Sequence, residues 1–103
     1  MMVWYDVASA ESFEPDMPKV LEVGDVRIAV FQLDDGFYAI SDICTHEYAL
    51  LSEGFCEGGK VECPLHQACF DIRTGRALDD PAEIDVQTYP TRVLNGLVQV
   101  DLG

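Results

Sequence analysis

Both histidines of this 103-residue chain stand close behind a cysteine, in Cys44-Thr45-His46 and Cys63-Pro64-Leu65-His66, with sixteen residues between His46 and Cys63. Two thiolates and two imidazoles can hold either a tetrahedral zinc ion or a two-iron cluster. Common zinc spacings pair cysteine with cysteine and histidine with histidine. Here each segment supplies one donor of each kind, first as C-x-H and then as C-x2-H. A zinc-stapled, protein-binding domain stands as the alternative to a redox centre, and stoichiometric zinc in a colourless protein would favour it.

Composition narrows what such a centre can serve. Nineteen acidic residues against six basic ones give a net charge of −13, which repels nucleic acid and anionic membranes and attracts a basic partner over about a Debye length. The hydrophobic fraction of 49% suits one small globular domain with a modest core. A core of that size gains from a staple. No basic segment followed by an apolar run opens the chain at Met1-Met2-Val3-Trp4-Tyr5-Asp6, and no membrane span is readable, so a cytoplasmic protein is expected. In that setting metal binding by at least some of Cys44, Cys56, Cys63 and Cys69 is expected rather than a pair of disulfides.

The elements that must position these donors read as short strands punctuated by Gly, Pro and Asp. Strands are expected over Met2–Ala8, Val20–Val23 and Val26–Leu33, with a turn at Gly24-Asp25 and with Ile28 and Val30 on one face. Asp34-Asp35-Gly36 marks a hairpin returning through Phe37–Ile40, and Asn95-Gly96 marks another between Thr91–Leu94 and Leu97–Val100. Between these β-rich ends, residues 42–74 hold all four cysteines, both histidines and Gly54, Gly58 and Gly59. The expectation is an all-β base, 1–42 and 75–103, interrupted by one ligand-bearing lobe at about 43–74.

The two donor segments resemble the cluster-binding loops of Rieske proteins, in which one iron takes both cysteines and the other both histidines. The resemblance implies one [2Fe–2S] cluster per chain, with Cys44 and Cys63 on one iron and His46 and His66 on the other. It extends through Leu51 and Gly54, Val61-Glu62, Phe70-Asp71, Thr74-Gly75, Pro81-Ala82 and Tyr89 to the terminal hairpin, covering about residues 20–102. It also implies the Rieske fold, an antiparallel β-sandwich or barrel-like base carrying the cluster lobe. Respiratory-type members place a further cysteine at the positions of Ala49 and Leu65 and join the two by a disulfide. Neither is cysteine here, so the chain is similar to the ferredoxins of bacterial aromatic-ring-hydroxylating oxygenase systems. Cys56 and Cys69 are then expected as small buried or half-buried residues, with a redox disulfide or extra ligation as the functional alternative. One departure is Gln67-Ala68-Cys69, where many relatives have glycine after the second ligand histidine.

This ligand set suits electron transfer. Two ferric ions, two sulfides and two thiolates sum to zero charge, so one electron leaves a single negative charge, whereas four thiolates would start at two. Histidine therefore raises the potential, within a range of about −150 to +300 mV. High-potential relatives add a hydroxyl donor near Ala68, which has none, so a midpoint near the low end, about −150 mV, is expected. The free nitrogens of the ligand imidazoles couple the electron to protons, and Pro64 fixes backbone in the second loop. Glu47, Glu53, Glu57 and Glu62, against Lys60 alone, suggest a face for a basic partner. Trp4, Phe31, Phe37, Phe70 and Tyr89 are read as core aromatics rather than electron relays. The resemblance implies a monomeric one-electron carrier, not an enzyme, between a flavin-dependent reductase and a terminal oxygenase. A nitrite reductase small subunit is the other redox reading, but those relatives often lack the ligands that this chain has.

Overall fold

The computed structural model describes residues 2–44, 49–64, 68–78 and 84–103. Among the described residues ten strands follow one another: β1 (Trp4–Ser9), β2 (Lys19–Val23), β3 (Val26–Leu33), β4 (Gly36–Ser41), β5 (Phe55–Glu57), β6 (Lys60–Glu62), β7 (Cys69–Asp71), β8 (Thr88–Tyr89), β9 (Thr91–Leu94) and β10 (Leu97–Asp101). Single 3-10 turns occupy Ala10–Ser12 and Leu51–Glu53. The all-β expectation holds, and the turn dipeptides account for the hairpins. Asn95 and Gly96 both take positive φ (52° and 79°), as the tight turn matching strand twist requires. The first strand starts at Trp4 rather than Met2 and bulges between Asp6 and Ala8 against β10.

Three antiparallel sheets result, ordered β1-β10-β9, β2-β3-β4-β8 and β5-β6-β7. The four-stranded sheet lies between two cores because β3 alternates over a sequence apolar at nearly every position. Ile28 and Val30 turn to one side with Ala39, Phe13, Val98 and Val100. Ala29, Phe31 and Leu33 turn to the other, with Ile40, Leu51, Val61, Phe70 and Ile72. The first core joins the base sheets, and the second joins the base to the donor-bearing segment. Register carries this through: Ala29 opposes Ile40 and Phe31 opposes Tyr38, while Val30 opposes Ala39. Burying a side chain such as Phe31 or Phe70 is worth about 1.5–3 kcal/mol.

Phe31 and Phe70 are fully buried, and Phe37 and Tyr89 pack partly buried against the first core. Trp4 departs from the expected core role. It is half-buried on the outer face, with the Arg92 guanidinium 4.1 Å from its ring centroid.

The sheet β5-β6-β7 has no counterpart in the sequence reading. Its strands have three residues each, too short for alternation to show. The signal that was there is Gly58-Gly59, the two-residue link whose glycines both take positive φ (61° and 80°). Arg73, just after β7, ties this sheet to the base. It donates to Asp34 at 2.8 Å and to Asp35 at 2.9 Å and lies over the Tyr38 ring.

Candidate metal centre

Cys44 and Cys63 open two loops of the same construction. The Cys44 N–H donates to the Ala49 carbonyl at 2.9 Å, and the Cys63 N–H donates to the Ala68 carbonyl at 2.6 Å. One step outside, Ile43 bridges Leu50 and Glu62 pairs with Cys69. Each loop thus runs from a cysteine to an alanine five residues on, closed by the same backbone bond and clamped by the same antiparallel pair. The matched alanines are legible in the sequence, yet only the structure gives them meaning. Ala49 and Ala68 are buried, and larger side chains there would press on the loop stems.

Both cysteines lie in the core shared by base and lobe, with 4% and 1% of their surfaces exposed, among Ala49, Leu51, Val61, Ala68 and Phe70. None of the four cysteines is in a disulfide. A thiol in such surroundings is either an inert small hydrophobe or a ligand whose proton a metal displaces, the metal then neutralising the thiolate. Two such thiols, on two matched loops, fit a centre that takes both on one metal. The other two predicted ligands, His46 and His66, lie outside the described residues, as do Glu47, Leu65, Gln67 and Pro81-Ala82. The donor set of the sequence, two thiolates and two imidazoles, is the one that a histidine-ligated two-iron cluster requires.

The loops are also packed on each other. Gly54 ends the 3-10 turn that follows the first loop, and a β-carbon there would meet the Glu62 carbonyl oxygen at 1.9 Å. Only glycine allows that approach, and Glu62 is the residue before Cys63. Beside the second loop the surface forms a depression of about 360 Å3, lined by Glu53, Gly54, Phe55, Glu62, Cys63 and Pro64. Phe55 is 62% exposed, an apolar ring among acids with nothing in its sequence context to single it out. Register puts Glu57, Lys60 and Asp71 in one row and Phe55, Glu62 and Cys69 in the next, so Lys60 has a carboxylate on either side. Arg27 and Arg73 are paired with acids of the base strands and hairpins.

Cys56 and Cys69 stand as half-buried residues, as expected. The Cys56 thiol donates to Asp16 at 3.5 Å. Burial, with Asp16 beside it, pushes this thiol up to about 12. Cys69 lies 4.0 Å from the Glu62 carboxylate.

The Rieske [2Fe-2S] domain model matches residues 3–90. The anthranilate 1,2-dioxygenase ferredoxin subunit of Burkholderia cepacia is 42% identical, over 97% of this chain and 93% of its own. The ferredoxin component of the naphthalene 1,2-dioxygenase system of Pseudomonas aeruginosa is 41% identical, over 97% and 96%. Among solved structures, a complex of reduced oxygenase and oxidized ferredoxin in carbazole 1,9a-dioxygenase contains a chain that superposes with a TM-score of 0.91. That chain is 34% identical, with 96% of this chain and 93% of that one covered.

Proposed function

Because the chain belongs to the Rieske [2Fe–2S] domain family, we propose that it passes single electrons from a flavin-dependent reductase to a terminal, aromatic-ring-hydroxylating oxygenase. It carries a [2Fe–2S] cluster and is an electron-transfer component rather than an enzyme. The cluster supplies a centre that accepts and releases one electron at a time.

In this reading Cys44 and Cys63 hold one iron and His46 and His66 the other. The chain's own work is positional. The matched bonds from Cys44 to Ala49 and from Cys63 to Ala68 fix where each thiolate points, and the apolar core excludes water behind them. The alanine side chains present no hydroxyl to the cluster sulfurs, which keeps the centre a modest oxidant. Glu53, Glu57 and Glu62 surround exposed Phe55 beside the second loop, a face suited to a basic partner with an apolar contact at its centre. Residues 1–103 act as one cytoplasmic, monomeric Rieske domain, with the cluster lobe at about 43–74.

The observation that carries the reading is the pair of matched loops with buried cysteines, in a chain that ferredoxin components match over nearly their whole length. The test is the absorption and EPR spectrum of purified protein before and after dithionite reduction. A red-brown protein whose reduced signal has the low average g of a histidine-ligated [2Fe–2S] centre is expected. Cys44→Ser, Cys63→Ser, His46→Ala and His66→Ala should each abolish that signal. Zinc without acid-labile sulfide, in protein prepared without oxygen, would overturn the reading.

A further inference from the structure

Asp42 stands two residues before Cys44 and has no exposed surface, the one buried charged side chain among the described residues. Its carboxylate accepts three bonds from described residues, the Ser52 N–H at 2.6 Å, the Ser52 hydroxyl at 2.9 Å and Arg27 Nε at 2.7 Å. Its backbone is held as well. The Asp42 N–H donates to the Arg27 carbonyl at 2.9 Å, and the Asp42 carbonyl accepts the Leu51 N–H at 2.7 Å. Residues 42 and 51–52 are the two ends of the first loop, so this single residue closes its base.

The contacts continue to the other loop. Ser52 sits in the turn Leu51–Glu53, which ends at Gly54, and Gly54 is seated on the carbonyl of Glu62, the residue bonded to Cys63. An unbroken series therefore runs from Arg27 on β3 through Asp42, Ser52 and Gly54 to the head of the second loop. Burying a carboxylate is costly unless every lone pair is used, and a loop base can be closed by neutral groups. A fully satisfied charged group here gives what neutral packing does not, directional bonds that admit one arrangement.

We propose that Asp42 is a positioning residue for the cluster, setting through Ser52 and Gly54 the separation of Cys44 from Cys63. The proposal rests on the reading that these cysteines share one iron. Misplacing one thiolate relative to the other strains that iron's coordination while the base sheets remain intact. Partners that orient ligands in this way typically change metal affinity by about 10- to 100-fold when altered.

The experiment uses cluster-bearing protein with Asp42→Asn and with Ser52→Ala. Asp42→Asn keeps the volume but puts a donor where Arg27 or Ser52 also donates. Ser52→Ala removes one bond and leaves the backbone bond. Far-UV circular dichroism establishes folding, and then the rate of iron loss to a ferrous chelator, the g values of the reduced cluster and the midpoint potential are read. Iron loss should be faster by about tenfold or more in Asp42→Asn and by less in Ser52→Ala, with shifted g values in both. Lower melting temperatures with wild-type g values, potential and iron-loss rate would overturn the proposal and leave Asp42 a purely structural group. If Asp42→Asn does not fold, Ser52→Ala decides alone. Failure of the ligand reading is separate, since it would appear as Cys44→Ser or Cys63→Ser protein that still assembles the wild-type cluster.

Discussion

Cys56 and Cys69 face opposite sides of the same three-stranded sheet. Cys56 pairs with Val61, which opposes Phe70 in the core, whereas Cys69 pairs with Glu62 on the outer face beside Phe55. Side chains one register apart in a sheet project to opposite faces, and β6 lies between the two strands, so the two sulfurs cannot bond without rebuilding the sheet. Oxidation should therefore produce no Cys56–Cys69 disulfide. Burial and Asp16 also push Cys56 up to about 12, so it is protonated at pH 8 and a poor nucleophile. Iodoacetamide treatment of cluster-bearing protein at pH 8, mapped by mass spectrometry, should leave Cys56 largely unlabelled. Ready labelling of Cys56, or a Cys56–Cys69 crosslink, would contradict this arrangement.

Gly54 is a second point at which the arrangement allows no slack. Its neighbour is backbone, the Glu62 carbonyl 1.9 Å from where a β-carbon would sit, and backbone cannot rotate away as a side chain can. Gly54→Ala should cost about 3 kcal/mol or more, at or beyond the upper end of usual overpacking. That corresponds to a melting temperature lower by more than about 10 °C in a domain of this size. Because the displaced carbonyl precedes Cys63, cluster content per folded chain should fall as well. Calorimetry with iron and acid-labile sulfide analysis checks both, and an alanine variant with unchanged melting and iron would disprove the close approach.

The sequence made the base legible because its strands are long enough to show alternation and its turns carry strong signals, as at Asn95-Gly96. Even the two-sided burial of β3 is foreshadowed by the placing of Ile28 and Val30 on one face. The lobe resisted the same treatment. Three-residue strands carry no period, and Phe55, Cys56 and Glu57 read as loop until the Gly58-Gly59 turn pairs them with Lys60–Glu62. The donor residues stood out through chemistry alone, but their supports did not. Asp42 looks like any exposed acid in a chain with nineteen of them, and only its distances to Ser52 and Arg27 mark it out.

The reduction potential follows from what surrounds the second loop. The Ala68 carbonyl is committed to the Cys63 N–H, and its methyl group is buried with nothing to donate. A hydroxyl at this point would stabilise the reduced cluster, so its absence leaves the potential low. Redox titration followed by absorbance should give a midpoint of about −150 mV. A midpoint above zero would mean that another donor reaches the cluster sulfurs.

Acid stability should reflect two carboxylates held below their ordinary value of 3.8. Asp101 accepts the Gly103 and Val3 N–H groups, each at 2.8 Å, and Asp35 is bonded to Arg73. A group depressed in the folded state contributes stability that is complete above its unfolded value and is lost as pH falls through the folded one. Relief of self-repulsion at −13 acts in the opposite sense on acidification, so the two effects must be separated. Asp101→Asn can keep the hydrogen bonds but not the charge. The stability difference between wild type and Asp101→Asn should be constant from pH 7 to about 5 and shrink below about 4. Denaturant titrations across that range test it, and a difference that stays constant or widens in acid would contradict the assignment.

The acidic face beside the second loop should act chiefly on encounter. Among the described residues Glu53, Glu57 and Glu62 form no ion pair with Arg27 or Arg73, which are engaged with Glu22, Asp42, Asp34 and Asp35, although Glu53 lies within the field of Arg27, and Lys60 already faces Glu57 and Asp71. Long-range attraction of a basic partner raises association rates at low ionic strength and is screened at high ionic strength, whereas an apolar contact is not. Replacing the three glutamates by glutamine should slow electron delivery to a terminal oxygenase by about tenfold at low salt and flatten its salt dependence. Phe55→Ala should instead slow delivery by a similar factor at every salt concentration, because it removes buried contact area rather than charge. Stopped-flow oxidation of reduced protein, measured from low to high salt, distinguishes the two. Wild-type rates and salt slope in the triple glutamine variant would move the docking surface away from this face.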